Sequence, residues 1–405
     1  MPGGGDVGQN QRFAALKSAT QALSCLSEPK SWEDLVTECD AVEGLTTVQR
    51  HRTKNAFRVL KNVFGDEFIA KLYGGEMGHP IMSTLFNRAP WTRLVLCEMA
   101  SDVQRVSAVT NGKNLVRRLK DKKTYAEARH VLRHASRFVA TGFDVAIDPK
   151  IGVKGKPKVP DLVISLPKYS DRIYVELTAL GRSGGEARAT DVFRTVSEPL
   201  MFCDLPYAGR LNRLVSLRHA QELALRVKET LEQAKRHRSF EELVVPNTLD
   251  VAIAPPEASE AFGDWCRERG LAPNSFSGPH YDVNEIARTT ASIVKKQRQL
   301  PPEYPGIVVV RGRVLLQEQN LAELAQAVEG RIGDFSNVLG VLIEGGYLGG
   351  GEGVVRTAVG PHSYMKFIKE DGLRTEQRLF VLNRYCEQKI TMATVTKVYE
   401  AFDLA

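Results

Sequence analysis

Residues 160–178 read PDLVISLPKYSDRIYVELT. Two short apolar runs, Leu162 to Ile164 and Ile173 to Val175, flank a polar turn built from Ser165, Pro167, Lys168, Ser170 and Asp171. Each run carries one acid: Asp161 opens the first and Glu176 closes the second. In an antiparallel pair the start of one strand lies beside the end of the next, so the two carboxylates converge at one end of the hairpin. The apolar neighbours predict a buried sheet, where two unpaired carboxylates are costly. A shared hard cation satisfies both.

Upstream, Thr124 to Thr141 predicts a helix, with Tyr125, Ala128, Val131, Leu132, Ala135, Phe138 and Val139 at helical spacing. Thr124 and Glu127 read as a capping box at its start and Gly142 as its stop. A strand, Phe143 to Ile147, and a basic Gly/Pro-containing connector, residues 149–158, lead into the hairpin. Residues 105–158 hold fourteen Lys and Arg against four Asp and Glu, more than the whole net charge of +7. A cationic surface beside a carboxylate cluster suits a polyphosphate ligand, although a charge run is often only a solvated face.

The order helix with acid, strand, Pro-Asp strand, strand ending in Glu resembles the restriction-endonuclease-like nucleases, the PD-(D/E)XK superfamily, over about residues 113 to 180. The resemblance implies an α/β fold: a mixed central sheet flanked by helices, here with an all-helical N-terminal unit. It implies Mg²⁺ (or Mn²⁺) held by Asp161 and Glu176, with Glu127 and the carbonyl of Leu177 as further ligands. The implied activity is phosphodiester hydrolysis, in DNA, with the metal activating water. Arg129, Arg133, Lys154, Lys156 and Lys228 are the candidate contacts to the nucleic-acid backbone. One position departs from the pattern. The family lysine falls at Thr178, which cannot supply its charge; Lys158, Lys228 and Lys235 are candidate substitutes. The alternative is an inactive nuclease fold kept for nucleic-acid binding or as a scaffold.

Helical patterns fill residues 10–104, including Phe13 to Leu26, a start at Ser31 with Asp34, Thr46 to Val63, and Pro90 onward. This sets an expected division into a helical unit over 1–104, also a candidate docking surface for a protein partner, an α/β core over 105–345 and a C-terminal loop and helical segment over 346–405. Leu214 to Arg236 and about Asn284 to Gln297 predict further helices; Leu249 to Ala254, Gly306 to Val310 and Val338 to Ile343 predict strands. The glycine-rich stretch 345–353 reads as an exposed loop and lacks the Gly-Lys-Ser/Thr of a P-loop.

Other motifs point elsewhere and lack context. Residues 181–185 match Gly-x-Ser-x-Gly, but no run of hydrolase strands precedes them. Glu127, His130 and His134 have metal-gathering helical spacing, but the two histidines, amid arginines on an exposed helix face, read as solvent-facing or near phosphate. Six scattered cysteines without a Cys-x-x-Cys pair, no leader-like N-terminus and no long apolar run set the expectation of a cytoplasmic protein with no membrane span.

Overall fold

A computed structural model describes residues 31–73, 79–150, 159–180, 184–201, 203–279, 284–312, 318–348, 356–360, 363–370 and 374–404. The chain divides into two compact units, residues 1–180 with 286–405, and residues 181–285. Among the described residues no helix is long and apolar enough to cross a membrane.

The first unit begins with α1 (Trp32–Glu38), α2 (Thr47–Phe64), α3 (Phe68–Tyr73), α4 (Met82–Leu85), α5 (Pro90–Val106), α6 (Gly112–Arg118) and α7 (Tyr125–Ala140). The predicted starts hold: Ser31 accepts from the Asp34 amide, and Thr46 and Gln49 form a reciprocal capping box. The predicted helix over residues 13–26 lies outside the described residues. Trp32 stacks against the adjoining pair Phe64 and Phe68, its ring centroid 6.5 Å from each and theirs 4.5 Å apart. Beneath it Leu35, Phe57 and Leu60 are fully buried, each stabilising the helical layer by about 1.5–3 kcal/mol.

An eight-stranded mixed sheet follows, made of β1 (Asp144–Ile147), β2 (Leu162–Ser165), β3 (Arg172–Ala179), β8 (Gly306–Arg311), β9 (Val338–Leu348), β10 (Arg356–Gly360), β11 (Ser363–Glu370) and β12 (Arg374–Leu382), in the order β1-β2-β3-β8-β9-β12-β11-β10. Only β3-β8-β9 are parallel; the other pairs are antiparallel. The parallel centre requires crossovers, and β8 reaches β9 through α12 (Glu318–Ile332). Strand β8 is apolar from Gly306 to Val310 because both its faces are covered. Val175, Leu177, Ile307, Val309, Leu342 and Phe380 pack with the α7 stripe. Tyr174, Val308, Val310, Val341 and Ile343 form the other face, packed with Ile293 of α11 (Glu285–Gln297) and with Leu324 and Val328 of α12. The chain closes this unit with α13 (Met392–Ala401).

The second unit holds α8 (Gly184–Ser197), β4 (Tyr207–Leu211), α9 (Leu217–His237), β5 (Glu241–Val245), β6 (Leu249–Ile253), α10 (Ser259–Arg269) and β7 (Ser275–Ser277), with sheet order β5-β6-β4-β7. Ala220, Leu223, Val227, Leu231 and Ala234 of α9 pack onto Leu243, Leu249, Val251 and Ile253.

Two expectations change. The core is not continuous over 105–345: residues 181–285 build their own sheet. Residues 346–405 are not loop and helix alone, since β10, β11 and β12 extend the main sheet. Part of the glycine-rich stretch, Gly345 to Leu348, belongs to β9, where pairing with Arg374 to Gln377 of β12 supplies the order its side chains do not. Residues 349–353 lie outside the described residues.

Candidate functional site

The hairpin forms in the predicted register. Leu162 pairs with Val175, so Asp161, one residue before β2, stands opposite Glu176. The Asp148 amide donates to the Asp161 carbonyl at 3.0 Å, fixing the entry to the strand. The Leu177 amide donates to Asp161 Oδ2 at 2.7 Å. Residues 176 and 178 share the sheet face of Val308 and Val310, the face covered by α11 and α12.

A lysine completes this end of the sheet. Lys296, near the end of α11, places Nζ 3.0 Å from Glu176 Oε2 and 3.6 Å from Asp161 Oδ2. Thr289 and Ile293 of the same helix are buried, and Lys296 lies three residues beyond Ile293, so the three share the inward face. Burial and the Asp161 charge push the Glu176 carboxyl up to about 8, with Lys296 opposing them. Burial also raises Asp161, against Lys296 and the Leu177 amide. Burial works against the charge on Lys296, but Asp161 and Glu176 outweigh it and hold the ammonium above its ordinary range. The cluster therefore contains two acids and a single firmly protonated base, and it keeps a proton that ordinary carboxylates release.

Glu176 Oε1 is buried without a hydrogen-bond partner. An orphaned carboxylate oxygen beside a second carboxylate is the donor set of a hard divalent cation, so Asp161 and Glu176 fit such an ion.

Glu127 stands at the margin. It is an exposed carboxylate, ion-paired at 3.0 Å to Arg118, which also reaches Asp148 at 3.4 Å. Its charge still acts on both Asp161 and Lys296. The expected Thr124–Glu127 capping box is absent: Thr124 makes no side-chain cap and its hydroxyl donates instead to the Arg118 carbonyl. Gly142 does end the helix, at φ +92°, where a side chain would be strained.

Of the other named residues, Thr178 is half-buried two positions beyond Glu176. Arg129 is committed to Asp102 at 2.5 Å and is mostly buried, while Arg133 is half-buried. Lys228 is exposed on α9 of the second unit, and Lys235 of that helix pairs with Asp204. Lys154, Lys156 and Lys158 lie outside the described residues, as do residues 181–183 of the Gly-x-Ser-x-Gly match.

The histidines correct the sequence reading outright. His130 and His134 do not face solvent; both are buried on the α7 face of the sheet, where His134 meets Glu344. Helix α7 is enclosed beyond its apolar stripe because it packs on α5, the sheet and α13.

No protein-family model, curated protein or solved structure matches this chain.

Proposed function

We propose that this protein is a metal-dependent nuclease of restriction-endonuclease-like fold, hydrolysing phosphodiester bonds in DNA with Mg²⁺. The observation that carries this reading is Lys296 standing over the Asp161–Glu176 pair. Two carboxylates and a lysine at one end of a sheet are what the Pro-Asp and Glu strands call for. Thr178 leaves the lysine position of the strand vacant, and α11 fills it from another element.

Asp161 and Glu176 are the residues that would hold the ion. The Leu177 carbonyl is a further candidate, because its amide already faces Asp161 and both groups of a strand residue point to the same edge. A bound Mg²⁺ supplies a more acidic water and charge for the leaving oxygen. Lys296, protonated across the physiological range, is no general base. It offers a hydrogen bond and a positive charge to the attacking oxygen or to a phosphoryl oxygen as charge develops there. Exposed Lys113, Arg117, Lys120, Lys122 and Lys123 flank Arg118, which bridges Glu127 and Asp148 beside the cluster. That surface suits the backbone of a polyanion.

The test is incubation of the purified chain with supercoiled plasmid and with single-stranded DNA, in Mg²⁺, Mn²⁺ or EDTA. Cleavage that needs the metal and disappears in Asp161→Ala and Glu176→Ala supports the reading. Salt-sensitive binding with every nucleic acid left intact would move the chain to the inactive, binding-only class.

A further inference from the structure

A second cluster lies on the opposite face of the same sheet. His130 and His134 are one helical turn apart on α7, with rings 4.9 Å apart, and only 2% and 0% exposed. Glu344 of β9 alternates with Val341 and Ile343 and therefore points to the α7 side. His134 Nε2 is 2.9 Å from Glu344 Oε2. His134 Nδ1 and both ring nitrogens of His130 are buried without a hydrogen-bond partner. A neutral imidazole carries one N–H and one bare lone pair, and leaving such groups unmet costs about 1–3 kcal/mol each.

The other carboxylate oxygen is occupied differently. Glu344 Oε1 accepts from Arg137 at 2.8 Å and lies 3.6 Å from Arg378 Nε. The guanidiniums thus keep Glu344 ionised from one side while Oε2 faces the imidazoles. One donor atom from each of His130, His134 and Glu344 lies within 4.8 Å of the other two.

We propose that His130, His134 and Glu344 bind a first-row transition ion of the Zn²⁺ type, which ties α7 to β9. Two imidazole nitrogens and one carboxylate oxygen suit zinc, whereas Mg²⁺ and Ca²⁺ prefer oxygen throughout. Zinc–nitrogen bonds of about 2.0–2.1 Å in a tetrahedron, the fourth place taken by water, set donors about 3.3 Å apart, so His134 Nε2 and Glu344 Oε2, now 2.9 Å apart, part slightly, and spacings in the triad up to 4.8 Å contract. No hydrogen bond holds the His130 ring nitrogens against that movement. The ion takes lone pairs that are otherwise bare and replaces the His134–Glu344 hydrogen bond. Arg137 and Arg378 oppose a dication, but through the far oxygen of Glu344; their repulsion sets the affinity below that of a thiolate site. The donor set differs from that of the Asp161–Glu176 pair, so the two sites select different metals.

The test uses the full chain carrying Asp161→Asn and Glu176→Gln, which removes the carboxylate pair as a competing site. The chain is refolded with Zn²⁺ or Co²⁺, dialysed, and analysed for metal content and visible absorption. One equivalent of ion per chain, with the intense bands of tetrahedral cobalt, is expected. His130→Asn should lose both, because His130 makes no hydrogen bond that folding without the ion would need. If His130→Asn fails to fold, the cobalt spectrum of the chain that retains His130 decides alone. Absence of the tetrahedral bands, or retention of the ion in folded His130→Asn, overturns the proposal.

Discussion

Glu176 and Glu344 occupy strands of one sheet, separated only by β8, with side chains 1% and 7% exposed. Burial raises both carboxyls, yet they end in opposite states. Glu176 is pushed up to about 8, by burial and by Asp161 beside it. Glu344 is driven well below the usual carboxylate range, because His134, Arg137 and Arg378 together outweigh burial. Partners, not depth, decide which buried acid keeps its proton. The Glu344 cluster is balanced by guanidiniums and belongs to the architecture. The Asp161–Glu176 cluster is one positive charge short, and that deficit makes it the candidate for chemistry.

The largest expected effect tests the lysine that only partly fills this deficit. Lys296→Ala should lower metal-dependent cleavage by about 10²–10³-fold, the loss typical of removing one donor aimed at developing charge. Lys296→Arg should restore part of it. Full activity in Lys296→Ala, measured on supercoiled plasmid, would remove the lysine from the proposed mechanism. The same comparison predicts that Glu344→Gln destabilises the fold by about 1.5–3 kcal/mol at pH 7, since it takes a charged hydrogen-bond partner from Arg137 and from Arg378, which keeps Asp403 and the Phe402 carbonyl. Urea unfolding measures this, and a loss under about 1 kcal/mol would mean that the guanidiniums find other partners.

How far these two clusters could be read from the sequence differs for a physical reason. The hairpin was legible because its order is local: a turn, two apolar runs and an acid at each end fix the register of Leu162 against Val175. The lysine was not, because Lys296 is 120 residues from Glu176, beyond a unit with its own sheet. Its one sequence signal is its spacing from Thr289 and Ile293, which puts a charge on the inward stripe of a helix. His130 and His134 were misread because the apolar stripe of α7 understates how much of the helix is covered. Glu344 sits one residue past the strand predicted from Val338 to Ile343 and glycines follow it; nonlocal pairing with Arg311 of β8 and with β12 carries the strand through it.

The comparison also predicts opposite responses to substitution across pH. Glu176 keeps its proton in the folded chain up to about 8, whereas its ordinary value is 4.5. Between those values the unfolded chain binds fewer protons, so this group makes stability fall as pH rises through the window. Glu176→Gln removes the ionisation and should stabilise the metal-free chain above pH 8, on the order of 1–3 kcal/mol, the usual cost of an uncompensated buried polar group. The gain should vanish below about pH 4.5, where both states are protonated. Thermal unfolding in EDTA at several pH values measures it. A Glu176→Gln chain less stable than the parent at pH 9 would show that Lys296 compensates the charge fully.

The smallest effect concerns the third acid. Glu127 pairs with Arg118 while 62% exposed, so water screens the pair and Glu127→Gln should change stability by no more than about 0.5 kcal/mol. Its charge nonetheless reaches Asp161 and Lys296. If Glu127 only shapes the local field, cleavage should fall several-fold and the Mg²⁺ concentration giving half-maximal activity should stay put. If it swings from Arg118 to the ion, that concentration should rise sharply. Arg118→Ala separates the cases further: it frees Glu127, so it should tighten the Mg²⁺ requirement only where Glu127 is a ligand. An unchanged requirement in both variants leaves Asp161 and Glu176 as the carboxylates that hold the metal.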